Sequence, residues 1–262
     1  MKKNFKVLAM VALIGEAFAA CSNNDGPQGN DDYRLYNEAD SAAFCEVMKA
    51  AYGPYLPGLS YAMDFTLEDA STWPNSLVMW QDPSEGNRNK RIARISLTNL
   101  FESTGHYPSE SWPSDRYGHI SPAVWDLDCL RVLSVKSEMF HGAVPECGDG
   151  ARSLSRFEFD NTNISSLPLD LFTLPNITDV HGWGNKELKH LPDGIENVPF
   201  KDNLTCTIKY SGLTDAAPID IKIRFGLENN EYTSVDWDSF RRADIMDLLH
   251  KTGQKFWCVG AA

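Results

Sequence analysis

The chain has 262 residues and a formal net charge of −12, with 36 Asp and Glu against 24 Lys and Arg. A surface this acidic repels phosphate backbones, which excludes a role built on nucleic-acid binding. The length suits one extended domain or two compact ones.

Residues 1–20 read as a secretory signal peptide. Lys2, Lys3 and Lys6 precede an apolar run from Val7 to Ile14 that is too short to span a bilayer, and small residues follow up to Cys21. Cleavage deletes three lysines and one glutamate, moving the net charge from −12 to −14. Phe18-Ala19-Ala20-Cys21 resembles a bacterial lipobox, and the resemblance implies lipidation of Cys21. Plain secretion after cleavage at Ala19 or Ala20 is the alternative. Residues 21–36 read as a lipoprotein tether: Ser22 to Gly26, with Asp31 and Asp32 following, resembles the acidic start of surface-exposed lipoproteins in some Gram-negative bacteria.

A helix is expected from Asn37 to Tyr52. Phe44, Val47, Met48 and Ala51 fall at i, i+3, i+4 and i+7, Asn37 or Asp40 can cap the start, and Gly53-Pro54 ends it. Its apolar face can close the open end of a stacked fold. Ile92, Ile95 and Leu97 then fit a first repeat strand. Behind it, Gly105-His106-Tyr107-Pro108 and Gly118-His119-Ile120-Ser121-Pro122 both look like a turn that should occur once. Either two irregular repeats lie here or Ser109 to Tyr117 is an insertion, and insertions of this kind sit on the surface. Trp125 reads as core on the outer side.

Regular repetition follows. Leu130, Leu133, Val135, Phe140, Gly142, Val144 and Pro145 are answered 24 residues later by Leu154, Phe157, Phe159, Ile164, Leu167, Pro168 and Leu171. A third copy holds Ile177, Val180, Asn185, Leu188, Leu191, Pro192 and Ile195. Three closely spaced apolar positions fit a short strand with alternate side chains in a core, and the later Leu-Pro positions turn the chain back. Past Val198, Leu204, Cys206, Ile208 and Tyr210 alternate, as do Ile219, Ile221, Ile223 and Phe225, the period of half-buried strands. Asp236 to Thr252 reads as a helix closed by Gly253.

This spacing resembles the leucine-rich repeat pattern L-x-x-L-x-L-x-x-N-x-L with a trailing L-P-x-x-L. The order of acidic entry, helix from Ser41, Trp80 and first strand resembles the N-terminal cap of plant-type leucine-rich repeats, without that cap's cysteine pair. The resemblance implies an α/β fold: a leucine-rich repeat solenoid with short parallel strands on the concave face. A helical N-terminal cap would span 37–91, the repeats 92–200, and an α+β C-terminal cap or small α+β module 201–262. The chain resembles extracytoplasmic leucine-rich repeat lipoproteins of Gram-negative bacteria, a resemblance carried by Ile92 to Pro199, with less from the N-terminal cap and least after Lys201.

No H-E-x-x-H, G-x-S-x-G, Walker loop or strand-borne G-x-G-x-x-G occurs, so no catalytic motif is legible and no cofactor is expected. Five cysteines remain after Cys21 (Cys45, Cys129, Cys147, Cys206 and Cys258), an odd number without a C-x-x-C spacing, which argues against a zinc site. Buried apolar thiols and a single disulfide both remain open. The histidines share no ligand spacing on one element, and turn chemistry explains why His106, His119, His141 and His181 adjoin glycine; no metal is expected.

The functional lead is the set of polar positions between the strand's apolar ones. They are Arg94, Ser96 and Thr98; Ser134 and Lys136; Arg156, Glu158 and Asp160; Asp179, His181 and Trp183; with Thr205 and Thr207 continuing the row. Glu158 and Asp160 stand about 7 Å apart on one strand face, a spacing a glycosidase pair could use, but such outward positions are polar in any repeat strand. Trp183 either anchors a partner or packs against His181 or the C-terminal cap. The expected function is a non-catalytic, lipid-anchored protein of the cell envelope, at the outer membrane and in one placement surface-exposed. It would recognise a protein or peptide through Arg94, Ser96, Lys136, Glu158, Asp160, His181 and Trp183. The alternative is a carbohydrate-binding accessory of a glycan-uptake system, with Trp183, Trp112 and Tyr117 as stacking platforms. An enzymatic reading would need a hydrolase-like site between Lys201 and Ala262.

Overall fold

A computed structural model of the chain describes residues 36–84, 89–107, 114–198, 204–209 and 211–213. Cys21 and the leader, Trp112, the alternating run from Ile219 to Phe225, the helix expected at Asp236 to Thr252, and Cys258 lie outside the described residues.

Helix α1 (Glu38–Tyr52) forms where the apolar spacing places it. Asn37 caps it, its side chain accepting from Asp40 N at 3.0 Å, and Gly53 ends it at a φ of 53° that a side chain would resist. Phe44, Val47, Met48, Ala51 and Tyr52 are all fully buried. They pack on the turn Pro122–Asp126 and on the second strand. Asp40 is not the cap: it points inward with 1% exposure and takes Arg91 and the backbone of Ile92 as partners. A short helix, α2 (Leu56–Ala62), and the strand β1 (Val78–Gln81) follow.

Among the described residues the main sheet has six strands. β1 pairs antiparallel with β2 (Arg91–Leu97), and from there every pairing is parallel, through β3 (Val132–Lys136), β5 (Arg156–Asp160), β7 (Asp179–Trp183) and β8 (Thr205–Lys209). The register aligns Ile95, Leu133, Phe157, Val180 and Cys206 in one row across five strands. All five are at most 2% exposed. Stacked coils therefore share one continuous core, and the fold is a mostly parallel, leucine-rich-repeat-like solenoid.

A second ladder of β4 (His141–Ala143) and β6 (Asn163–Ser166) ties successive coils together behind the sheet. It continues upstream through His141 N donating to the Gly118 carbonyl at 2.9 Å and Gly118 N donating to that of Ala51 at 3.0 Å. The return of each coil is a 3-10 turn: Pro122–Asp126, Gly150–Ser153, Leu169–Thr173 after Pro168, and Ile195–Asn197 after Pro192. Proline fixes φ for such a turn and needs no donor there.

The interrupted first repeat resolves into one enlarged coil, because β2 pairs directly with β3. The extra chain lies before Gly118, which stands at the turn position that Gly142 takes 24 residues later; both have positive φ, 85° and 81°. The short helix α3 (Leu100–Thr104) is part of that extra chain. Tyr117, expected on a surface insertion, is instead fully buried, with Phe101 at 5.7 Å and Tyr55 at 5.6 Å edge-on. Trp125 is core at 4% exposure, and its Nε1 donates to the Pro145 carbonyl at 3.1 Å.

Two details show how the repeats fit. Gly182 stands on β7 where the preceding coil has Phe159, and a Cβ there would meet the Phe159 Cζ at 2.3 Å. The absent side chain makes room for the ring. Asn185, fully buried, accepts from Thr162 N at 3.1 Å and Thr162 Oγ1 at 2.6 Å through its Oδ1, so the asparagine of the repeat pattern bonds one coil to the next.

Candidate recognition surface

Alternation along the strands sends side chains at every second position away from the core. The register then arranges them in rows: Arg94, Val132, Arg156, Asp179 and Thr205 in the first; Ser96, Ser134, Glu158, His181 and Thr207 in the second. In the third, Lys136 stands beside Asp160, and Trp183 beside Lys209. Ser134, expected to face outward, is buried at 3% as the small member of a row of longer side chains.

The middle of this face is a charge cluster. Lys136 Nζ lies 3.7 Å from both Glu158 Oε2 and Asp160 Oδ2. Arg156 reaches Glu158 at 3.4 Å and Asp179 at 2.9 Å. His181 Nε2 is 3.3 Å from Asp160 Oδ1, a pair that is ionic when the imidazole is protonated. The carboxylates are mostly shielded, at 18% and 19% side-chain exposure for Glu158 and Asp160, while Lys136 and Arg156 are half exposed. Half-exposed pairs contribute only about 0–1 kcal/mol each to stability. What the cluster provides is a fixed arrangement of charge that an incoming group can share.

Trp183 completes this part of the face. Its side chain is 52% exposed, and its backbone N–H donates to Asp160 Oδ1 at 3.1 Å. The structure thus brings together Lys136, Glu158, Asp160, His181 and Trp183 of the expected site. Arg94 and Ser96 lie on the same sheet face but on β2, beyond β3 from the acidic strand β5. Arg156, Asp179 and Lys209 join the site through the register, which periodicity alone does not assign. Of the proposed glycan platforms, Tyr117 is excluded by its place in the core.

Elsewhere the fold makes juxtapositions that spacing along one element does not show. The His119 and His141 rings, on neighbouring coils, meet edge-on at 4.4 Å, and His141 Nε2 sits 2.9 Å from the Ser114 carbonyl. Among the described residues, no three His, Cys, Asp or Glu converge on a point where a metal could bind. Cys45, Cys129, Cys147 and Cys206 are free thiols; burial raises the pKa of all four, furthest for the enclosed Cys206 and for Cys147, where Asp170 adds to the effect.

No family model matches the chain, and no curated protein matches it. Among solved structures it is similar to the leucine-rich repeat ectodomain of the receptor kinase SOBIR1 from Arabidopsis thaliana. The identity is 13% and the TM-score 0.45, over 76% of this chain and 94% of that one. It is also similar to a plant ice-binding protein at 18% identity and a TM-score of 0.42, over 76% of this chain and 64% of the other, so the chain spans less than two thirds of that protein. These values identify no family, and the solenoid rests on the strand register itself.

Proposed function

We propose that the chain is a non-catalytic binding scaffold that recognises a protein or peptide on the polar, concave face of its strands. It is lipid-anchored through Cys21 in the cell envelope, at the outer membrane, and belongs with extracytoplasmic leucine-rich repeat lipoproteins. In this reading α1 is the N-terminal cap, residues 201–262 hold the C-terminal cap, and the tether at 21–36 holds the solenoid away from the bilayer.

One observation carries the proposal: an indole at 52% exposure beside a charge cluster whose acidic members are already shielded and held by Lys136, Arg156 and His181. Exposed aromatic anchors flanked by ordered charge are the elements from which binding hot spots are built. Glu158 and Asp160 also share one cation at one distance.

The test is quantitative capture from host and neighbouring-cell extracts by the immobilised mature chain, beside Trp183→Ala and the double variant Glu158→Lys with Asp160→Lys. Ligands enriched by the parent chain are expected to lose about 30-fold or more in affinity with Trp183→Ala, the size of a hot-spot truncation. A comparable loss is expected on charge reversal. Unchanged binding by both variants contradicts the assignment of this face.

A further inference from the structure

Four large apolar side chains stand exposed among the described residues: Tyr61, Met79, Tyr107 and Trp183. Two of them, Met79 and Trp183, share one side of the sheet. Met79 lies opposite Arg94 in the antiparallel pairing of β1 with β2, so it extends the first outward row by one strand. Its neighbour Val78 and the partner of that residue, Ile95, are fully buried, which sets Met79 on the outward side at 47% exposure. β1 is not one of the repeats, yet its register carries the recognition face past them.

The two exposed side chains bracket that face. Trp183 lies on β7, four strands across from β1 in the order β1-β2-β3-β5-β7, and four residues along from Asp179, which stands in the row of Met79. At about 4.8 Å per strand and about 3.3 Å per residue, the anchors are about 19 Å apart across the sheet and about 13 Å along it, or about 23 Å on the diagonal. An extended chain covers that distance in about seven residues. The midpoint of the diagonal falls at Ser134, on β3 in the middle row. Ser96 and Ser134, paired in register, are the shortest side chains of that row, and they lower the surface where a crossing backbone needs room. Beyond them Lys136, Arg156 and His181 already hold Glu158, Asp160 and Asp179. A charge placed over this stretch would meet a like charge beside each opposite one, so uncharged polar groups suit it best.

We infer that Met79 is a second anchor of the strand face, and that the face takes an extended peptide segment with an apolar side chain at each end, about seven residues apart, and an uncharged polar middle. The inference rests on the strand-face reading above and adds to it the spacing of the partner and a binding residue outside the repeats.

A display library of random peptides of about twelve residues, long enough to span the diagonal, would be panned on the immobilised mature chain. Enriched peptides are expected to carry two apolar residues about six to eight positions apart. The tightest of them, labelled with fluorescein and followed by anisotropy, should bind Met79→Gln about five- to tenfold more weakly, the worth of one partly exposed apolar side chain, and Trp183→Ala about 30-fold more weakly. Met79 faces outward, so the glutamine leaves the core intact. Replacing one apolar end of the peptide by glycine should abolish its sensitivity to Met79→Gln, and replacing the other should abolish its sensitivity to Trp183→Ala. The inference is overturned if no peptide is enriched over the bare support, or if the two apolar residues are adjacent or share one end. It is overturned equally if Met79→Gln leaves the affinity unchanged while Trp183→Ala lowers it, a result under which the strand-face reading still stands. Indifference to both variants contradicts that reading as well.

Discussion

Phe157→Ala is expected to lower the free energy of unfolding by about 3–5 kcal/mol, the range for removing a large aromatic from a packed core. Phe157 is fully buried, between Leu133 and Val180 in the row that runs through the coils, and its ring stacks on Phe159 at 5.3 Å and 15°. In a solenoid each coil contacts only its neighbours, so the cavity weakens both interfaces of the central coil at once. Relaxation is restricted, since Phe159 already fills the space left by Gly182. Urea unfolding followed by far-ultraviolet circular dichroism measures the loss. A change below about 1 kcal/mol would mean that the ring is not enclosed between adjacent parallel strands.

Asp40→Ala is expected to cost a similar amount, about 3–5 kcal/mol, for an electrostatic reason. The Asp40 carboxylate is 1% exposed and accepts Arg91 Nε at 3.0 Å, Arg91 Nη2 at 2.8 Å and the Ile92 N–H at 2.7 Å. This fork ties α1 to the first repeat strand, and the Arg91 pKa is raised chiefly by that hydrogen bond. Truncation leaves a guanidinium at 15% exposure with the exposed Asp128 as its remaining carboxylate, and strands a buried backbone donor. The double variant Asp40→Ala with Arg91→Ala should lose clearly less than the sum of the single losses, since the second change removes the uncompensated charge. Additive losses would show that the two residues act independently. Lys136→Ala, by contrast, breaks half-exposed pairs only and should stay within about 1 kcal/mol of the parent.

What the sequence revealed and what it concealed follow from where each signal is written. Leu133, Phe157 and Val180 were legible as one row because a solenoid repeats its burial pattern at a fixed period, and the register confirms it. Both ends of helix α1 are legible because Asn37 and Gly53 act within a few residues of them. Asp40 read as a possible cap because its true partner, Arg91, is 51 residues away. β1 was missed because only one of its four residues is buried and a register shift between Met79 and Trp80 breaks the alternation. Tyr117 reads as surface from sequence alone because the enlarged coil hides its phase; Gly118, 24 residues before Gly142, is the signal that places it. Rows across the sheet, and with them the company Arg156 and Asp179 keep, depend on pairing between strands and cannot be read from one strand alone.

The central claim is that the polar strand face around Trp183 is where a partner is engaged. A photo-crosslinking amino acid placed at 183, and separately at Tyr61, which is 89% exposed on α2, tests it most directly. On irradiation of cells producing each variant, position 183 is predicted to give discrete adducts that Glu158→Lys with Asp160→Lys abolishes, while position 61 gives none. Adducts at 61 and none at 183, or adducts at 183 indifferent to the charge reversal, would contradict the account.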